Sequence, residues 1–214
     1  MRELVLLLFA LSALHAQELS SKEIDGLLSR LSEARAGSAM QANFREERQL
    51  ALMAKPVTES GVVSFLPPDK FRRQVEGGSL TVCDGTTLWL FYPQFDEVEK
   101  YDLSSNRALR ESLSAMTSGF GLQNLSESYK IQAWRTANGY RLKLHPKTSS
   151  LRKAVTEIQV DISEGLFAKR LEILGAPDGD RTTLTFSNER RVNLSADDFR
   201  FQPPKDVRIS EPTK

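Results

Sequence analysis

Asp84-Gly85-Thr86-Thr87-Leu88-Trp89-Leu90-Phe91-Tyr92-Pro93 decides how this chain folds. Asp-Gly is a turn dipeptide, because glycine takes positive φ at no steric cost and aspartate bonds backbone two residues on. The β-branched and aromatic run behind it reads as a strand that stops at Pro93. Side chains alternate along a strand, so Leu88, Leu90 and Tyr92 share one face and Trp89 and Phe91 the other. A strand apolar on both faces is either covered on both or lines a space that admits something apolar.

Outward from this stretch, short strands follow one another across tight turns. Gly77-Gly78 turns the chain into Leu80-Thr81-Val82, and Phe71 and Val75 alternate with Arg72, Gln74 and Glu76 before it. Gly61 to Phe65 closes at Pro67-Pro68, and Met40, Ala42 and Phe44 alternate with polar residues further upstream. Val98 to Leu103 follows the opening stretch. Later strands run over Tyr129 to Arg135, Tyr140 to His145, Ile158 to Ile162, Leu171 to Leu174 and Leu184 to Val192. Asn138-Gly139, Glu164-Gly165 and Pro177-Asp178-Gly179-Asp180 supply their turns. Successive strands joined by short turns make an antiparallel meander.

Two helical signals break this pattern. Ser20 to Glu23 forms a capping box, and Ile24, Leu27, Leu28, Leu31 and Ala34 follow at helical spacing, so a helix is expected from Ser21 to Arg35, ended by Gly37. Leu109, Leu113, Met116 and Phe120 are spaced four, three and four apart, with Gly119 and Gly121 at the exit. That helix reads as a lid. The expected fold is mainly β: a single curled antiparallel sheet of about eleven strands forming an unclosed β-barrel, capped by two to three α-helices.

Residues 1–16 read as a secretory signal peptide, with Arg2 as the basic start, an apolar run from Leu4 to Leu14, and Ala16 at the cleavage position. The rest, 17–214, reads as one domain that is exported to the periplasm and remains a monomer. A net charge of +1 argues against nucleic acid as a partner. Cys83 is the only cysteine, which excludes an internal disulfide. Its place between Val82 and Asp84 suits a small buried thiol rather than a nucleophile.

Chemistry-bearing motifs are missing. After the leader the only histidine is His145, so neither a metal set nor a nucleophile–base pair emerges, and no cofactor is expected. Asp84 is explained by its turn, and Asp197-Asp198 by capping a short helical turn. A carboxylate pair that meets only in the fold leaves a hydrolase open, but the main reading is not an enzyme. Apolar surface remains. Phe44, Phe65, Phe71, Trp89 or Leu90, Trp134, Leu142 and Leu144 can converge on the concave side of a curled sheet, as a plain core or as the wall of a lipid cavity.

The order of helix, Gln41-Ala42-Asn43-Phe44, Gly61-Val62-Val63-Ser64-Phe65, Pro68-Asp69-Lys70-Phe71, the opening decapeptide and Phe199-Arg200-Phe201-Gln202-Pro203-Pro204 resembles the LolA-type periplasmic lipoprotein carriers. The resemblance spans about Glu18 to Ile209. It implies a hydrophobic cavity that takes the acyl chains of a lipoprotein. The cargo is released by an inner-membrane ABC-type complex and passed to an outer-membrane receptor. It also implies a ligand site built from Phe44, Phe65, Phe71, Leu88, Leu90, Trp134 and Leu142, with Leu109, Leu113, Met116 and Phe120 on the lid. Pro67 stands where the family carries a lid-bonding arginine, and Arg73 where it carries a tryptophan. Three other readings stay open: a carrier of a non-protein lipid serving an RND-type lipid exporter, a scaffold that binds through an edge strand, and the hydrolase.

Overall fold

A computed structural model of the chain describes residues 17–105, 109, 110, 113, 122, 125–176 and 178–212. The leader expected over 1–16, and Met116, Phe120, Gly119, Gly121 and Pro177, lie outside the described residues.

Thirteen strands form one sheet. They are β1 (Gln17–Glu18), β2 (Ala39–Gln49), β3 (Val57–Leu66), β4 (Lys70–Val75), β5 (Leu80–Cys83), β6 (Thr87–Tyr92) and β7 (Glu97–Asp102). Then come β8 (Tyr129–Thr136), β9 (Gly139–Pro146), β10 (Val155–Ser163), β11 (Ala168–Gly175), β12 (Arg181–Val192) and β13 (Arg208–Ser210). Their spatial order is β1-β8-β9-β10-β11-β12-β2-β3-β4-β5-β6-β7-β13, and the two ends do not pair, so the barrel is unclosed. The expected eleven strands correspond to β2 through β12. The two extra ones are short terminal pieces, and β13 runs parallel to β7, which corrects the expectation of a purely antiparallel sheet.

Helix α1 (Ser21–Arg35) starts where the capping box places it. The Glu23 N–H donates to Ser20 Oγ, and the Ser20 N–H donates to Glu23 Oε2. Leu27 and Leu31 are buried on the concave face, each worth about 1.5–3 kcal/mol of apolar transfer. Two shorter helices, α2 (Leu125–Ser128) and α3 (Ser149–Ala154), sit in strand connections, and Leu109, Arg110 and Leu113 are helical too.

One apolar cluster joins strands from both ends of the sheet. Leu88 of β6, Phe44 of β2, Ala133 of β8 and Leu142 of β9 belong to it together with Leu27 and Leu31. Only a curled sheet brings β6 and β8 to one core, since eight strands separate them in order. Gly61 permits the bend between β3 and β4: a Cβ there would lie 1.9 Å from the Gln74 carbonyl oxygen and 3.0 Å from the Phe44 ring.

Candidate functional site: the concave apolar interior

The opening decapeptide resolves into two covered faces. Asp84 Oδ1 accepts from the N–H groups of Thr86 and Thr87 and the Thr86 hydroxyl, each at 2.8 Å. This fixes the start of β6. Leu88 is buried in the concave cluster and Leu90 packs against it. Trp89 and Phe91 point the other way, where the Phe201 ring lies 5.7 Å from each. By register Leu80, Val82 and Val98 share that convex face, and all three are buried. The C-terminal stretch therefore acts as a second cover. Its 3-10 turn, Ala196–Phe199, packs on β4 with Phe199 fully buried, and Asp198 closes a capping box with Ser195.

Phe44, Phe71, Leu88 and Leu142 are brought together in the concave cluster, with Leu90, Leu109 and Leu113 partly buried against it. Phe65 is buried beside them at one end. Trp134 is not brought in. It pairs with Arg141 in β9 and Glu18 in β1, on the face opposite Ala133 and Leu142. Strand alternation put it there once Ala133 took the inward position, and the aromatic had drawn attention from a smaller residue.

Two tyrosines and a thiol of the interior stay un-ionised. Burial pushes the Tyr129 hydroxyl up to about 12, so it carries no charge at physiological pH. The Tyr101 hydroxyl donates to Glu99 Oε2 at 2.8 Å, and that bond, with burial, also takes it to about 12. Burial raises the Cys83 thiol as well, which keeps it un-ionised and inert. Among the described residues no group of three or more His, Cys, Asp or Glu is placed to hold a metal ion.

Charge enters at the two ends. At one, Arg73 lies over the Phe44 ring, 4.5 Å from its centroid, and donates to Glu46 at 2.8 Å and Glu59 at 2.9 Å. Arg48 pairs with the same two carboxylates at 3.2 and 3.1 Å. At the other, Arg35 of α1 is buried and donates to the Leu166 carbonyl at 2.8 Å and to Glu189 at 3.2 Å. Glu189 reaches it because β12 shifts register between Ser187 and Arg190, with Asn188 at φ 54°. A bulge re-aims one side chain inward. Sequence reasoning missed both clusters: the partners of Arg73 lie on β2 and β3, far from it in sequence, and a bulge leaves no mark on alternation.

Next to Glu189, a cavity of about 30 Å³ opens among Met40, Ala42, Val63, Phe65, Ala168 and Phe186. It holds about one water molecule. A larger hollow of about 390 Å³ lies on the convex face, but Gln41, Ser64, Arg72, Gln74 and Asp198 line it. Val62 and Leu194 complete its mixed lining. The apolar interior under α1 is one continuous cluster of buried side chains.

Comparison with known proteins agrees with this geometry. The family model of the outer membrane lipoprotein carrier protein LolA matches residues 35–202. Over 158 residues the chain is 27% identical to the outer-membrane lipoprotein carrier protein of Vibrio cholerae serotype O1, covering 72% of this chain and 74% of that protein. An uncharacterized conserved protein from Thermus thermophilus shares the fold, with a TM-score of 0.55 at 14% identity over 89% of this chain and 99% of that one. The family match runs from the last residue of α1 to the strap that covers Trp89 and Phe91, and on that evidence the chain belongs to the LolA family of outer membrane lipoprotein carrier proteins.

Proposed function

We propose that this protein is a non-catalytic periplasmic carrier that shields the acyl chains of lipoproteins and moves them from the inner to the outer membrane. The observation that carries this reading is a single apolar interior, walled by Phe44, Phe71, Leu88 and Leu142 and roofed by Leu27 and Leu31 of α1. Each methylene taken from water is worth about 0.8 kcal/mol, so several acyl chains do not cross an aqueous space unescorted. The described side chains already fill the interior, so loading needs the helices to move off the concave face. That step releases the bonds of α1 to Tyr140, Leu166, Glu189 and Arg191. Residues 1–16 serve as the export signal. An inner-membrane ABC-type complex loads the carrier, and an outer-membrane receptor unloads it. No helix among the described residues is long and apolar enough to cross a membrane.

Mass spectrometry of organic extracts and of intact protein purified from the periplasm tests the proposal. Co-purifying acylated lipoprotein is the expected result. Recovery of a free lipid in its place moves the reading to a carrier of non-protein lipid, and an empty interior that binds no apolar probe rejects both.

A further inference from the structure

The hairpin joining β2 to β3 ends in Gln49-Leu50-Ala51-Leu52-Met53-Ala54-Lys55, and the carrier reading does not use it. Leu52 is 100% exposed and Met53 45%, with Ala51 and Ala54 exposed beside them. A single exposed leucine is ordinary; a run of four apolar residues at the tip of a projecting hairpin is not. We infer that this tip, together with Phe95 on the neighbouring β6–β7 turn, is a contact surface for a lipid bilayer, with Leu52 and Met53 as the inserting side chains.

Four observations carry this. First, the hairpin projects. β3 pairs with β4 from Gly61 onward, and the Glu76 N–H still donates to the Ser60 carbonyl. On the β4 side Val57 to Glu59 therefore extend beyond the β4–β5 turn, roughly 10 Å at strand rise, while on the β2 side the β11–β12 turn stands beside the tip through Asp180. Second, the projecting stem is braced. Arg73 reaches from β4 to Glu46 on one arm and Glu59 on the other, and Arg48 ties the same pair. Third, part of the tip's backbone is already paired. The Met53 N–H donates to the Leu50 carbonyl at 3.0 Å, the Ala51 N–H to Asp180 Oδ1 at 2.8 Å, and the Gln49 amide to the Met53 carbonyl at 3.3 Å. Backbone groups paired internally enter an apolar medium at little cost. Fourth, the tip has a companion. Strand direction alternates, so the β2–β3, β4–β5 and β6–β7 turns share one end of the sheet, and Phe95 there is 71% exposed. The Gln94 amide donates to the Gly77 carbonyl and holds this turn to the next.

The two tips stand four strands apart, roughly 20 Å at interstrand spacing before the curl of the sheet. A protein pocket takes one contiguous anchor, whereas a bilayer surface accepts separated ones. Lys55 flanks the tip and Asp180 is bonded to it, so the contact rests on the apolar side chains rather than on charge. Contact through both tips sets this end of the sheet, and the concave space behind Arg73, against the membrane. The inference holds whatever cargo the interior takes.

Flotation with vesicles of phosphatidylcholine, with and without phosphatidylglycerol, tests it on the full-length mature protein. The expected result is weak, reversible binding that Leu52→Glu reduces about tenfold or more. Phe95→Glu reduces it too. Leu52→Glu leaves the thermal midpoint unchanged, because the side chain is fully exposed. A Leu52→Trp variant reports depth: brominated acyl chains quench its emission. Absence of vesicle binding by the unaltered protein, equal binding by both glutamate variants, or no bromine quenching overturns the inference. So does a Leu52→Glu defect confined to capture by a detergent-solubilised membrane protein, which assigns the tip to a protein pocket.

Discussion

The guanidinium of Arg35 and the carboxylate of Glu189 meet at 3.2 Å with side chains only 2% and 7% exposed. This pair fixes the C-terminal end of the roofing helix to a bulge in β12. Burial pushes the Glu189 carboxyl above its usual range, and the Arg35 charge opposes that rise in part. Burial also lowers the Arg35 guanidinium.

Replacing Arg35 by Met leaves Glu189 without its counter-charge and raises its pKa further. A carboxyl with a folded pKa above its unfolded value holds its proton more tightly in the native state. Its contribution is complete below the unfolded pKa and is lost as pH rises through the folded one. Arg35→Met is therefore nearest the unaltered protein at about pH 4 and falls behind toward about pH 7, where the deficit reaches about 3–5 kcal/mol. Urea unfolding at several pH values measures this. The double variant Arg35→Met, Glu189→Leu recovers most of the loss at neutral pH. A deficit of equal size at every pH would assign Arg35 a packing role, through its bond to the Leu166 carbonyl.

Phe201→Ala uncovers the convex side of β6. Two aromatic contacts of about 1 kcal/mol each disappear, so urea unfolding should show a loss of about 2 kcal/mol. Proteolysis should then cut first within the last fifteen or so residues, which pack as a separable cover. Uptake of an apolar probe into the concave interior should not change, because Phe201 lies on the other side of the sheet. A change in uptake would mean the two faces are coupled.

Phe71→Ala acts on the inner face. Phe71 is 5% exposed, paired across from Phe65 and Cys83, and belongs to the concave cluster. Truncation costs about 3–5 kcal/mol and leaves a cavity where the ring stood. Binding of a small apolar fluorophore should rise as stability falls. Lower stability without added binding would mean the interior collapses into the gap.

The turns were legible because Asp84-Gly85, Asn138-Gly139 and the capping box at Ser20 act over two to four residues, within reach of local reading. Period-two alternation gave β2 through β12. β1 and β13 were missed because two or three residues hold no period. Which face of β6 lines the interior was not legible: the answer lies in Phe201, more than a hundred residues away. Trp134 misled because size was taken for depth, while the neighbouring Ala133 and the facing Leu142 set the inward parity. The hairpin tip at Leu52 leaves no sequence signal, since an apolar residue in a turn has no periodic signature. Of the interior, Phe44, Phe71 and Leu142 follow from alternation, while the ionic ties at its ends depend on the bulge and the curl.

The sheet begins and finishes on its two shortest strands. β1 lies along β8 at one margin and β13 along β7 at the other, so the long strands beside them are hemmed by two and three residues. Exposed strand margins invite pairing with other molecules. An open barrel has two of them, and here each is guarded by a flap that either end of the chain can lift. Tags, fusions and trimming at the termini thus act on self-association more than on the interior, and a preparation that has lost its tail beyond Pro204 should polymerise before it unfolds.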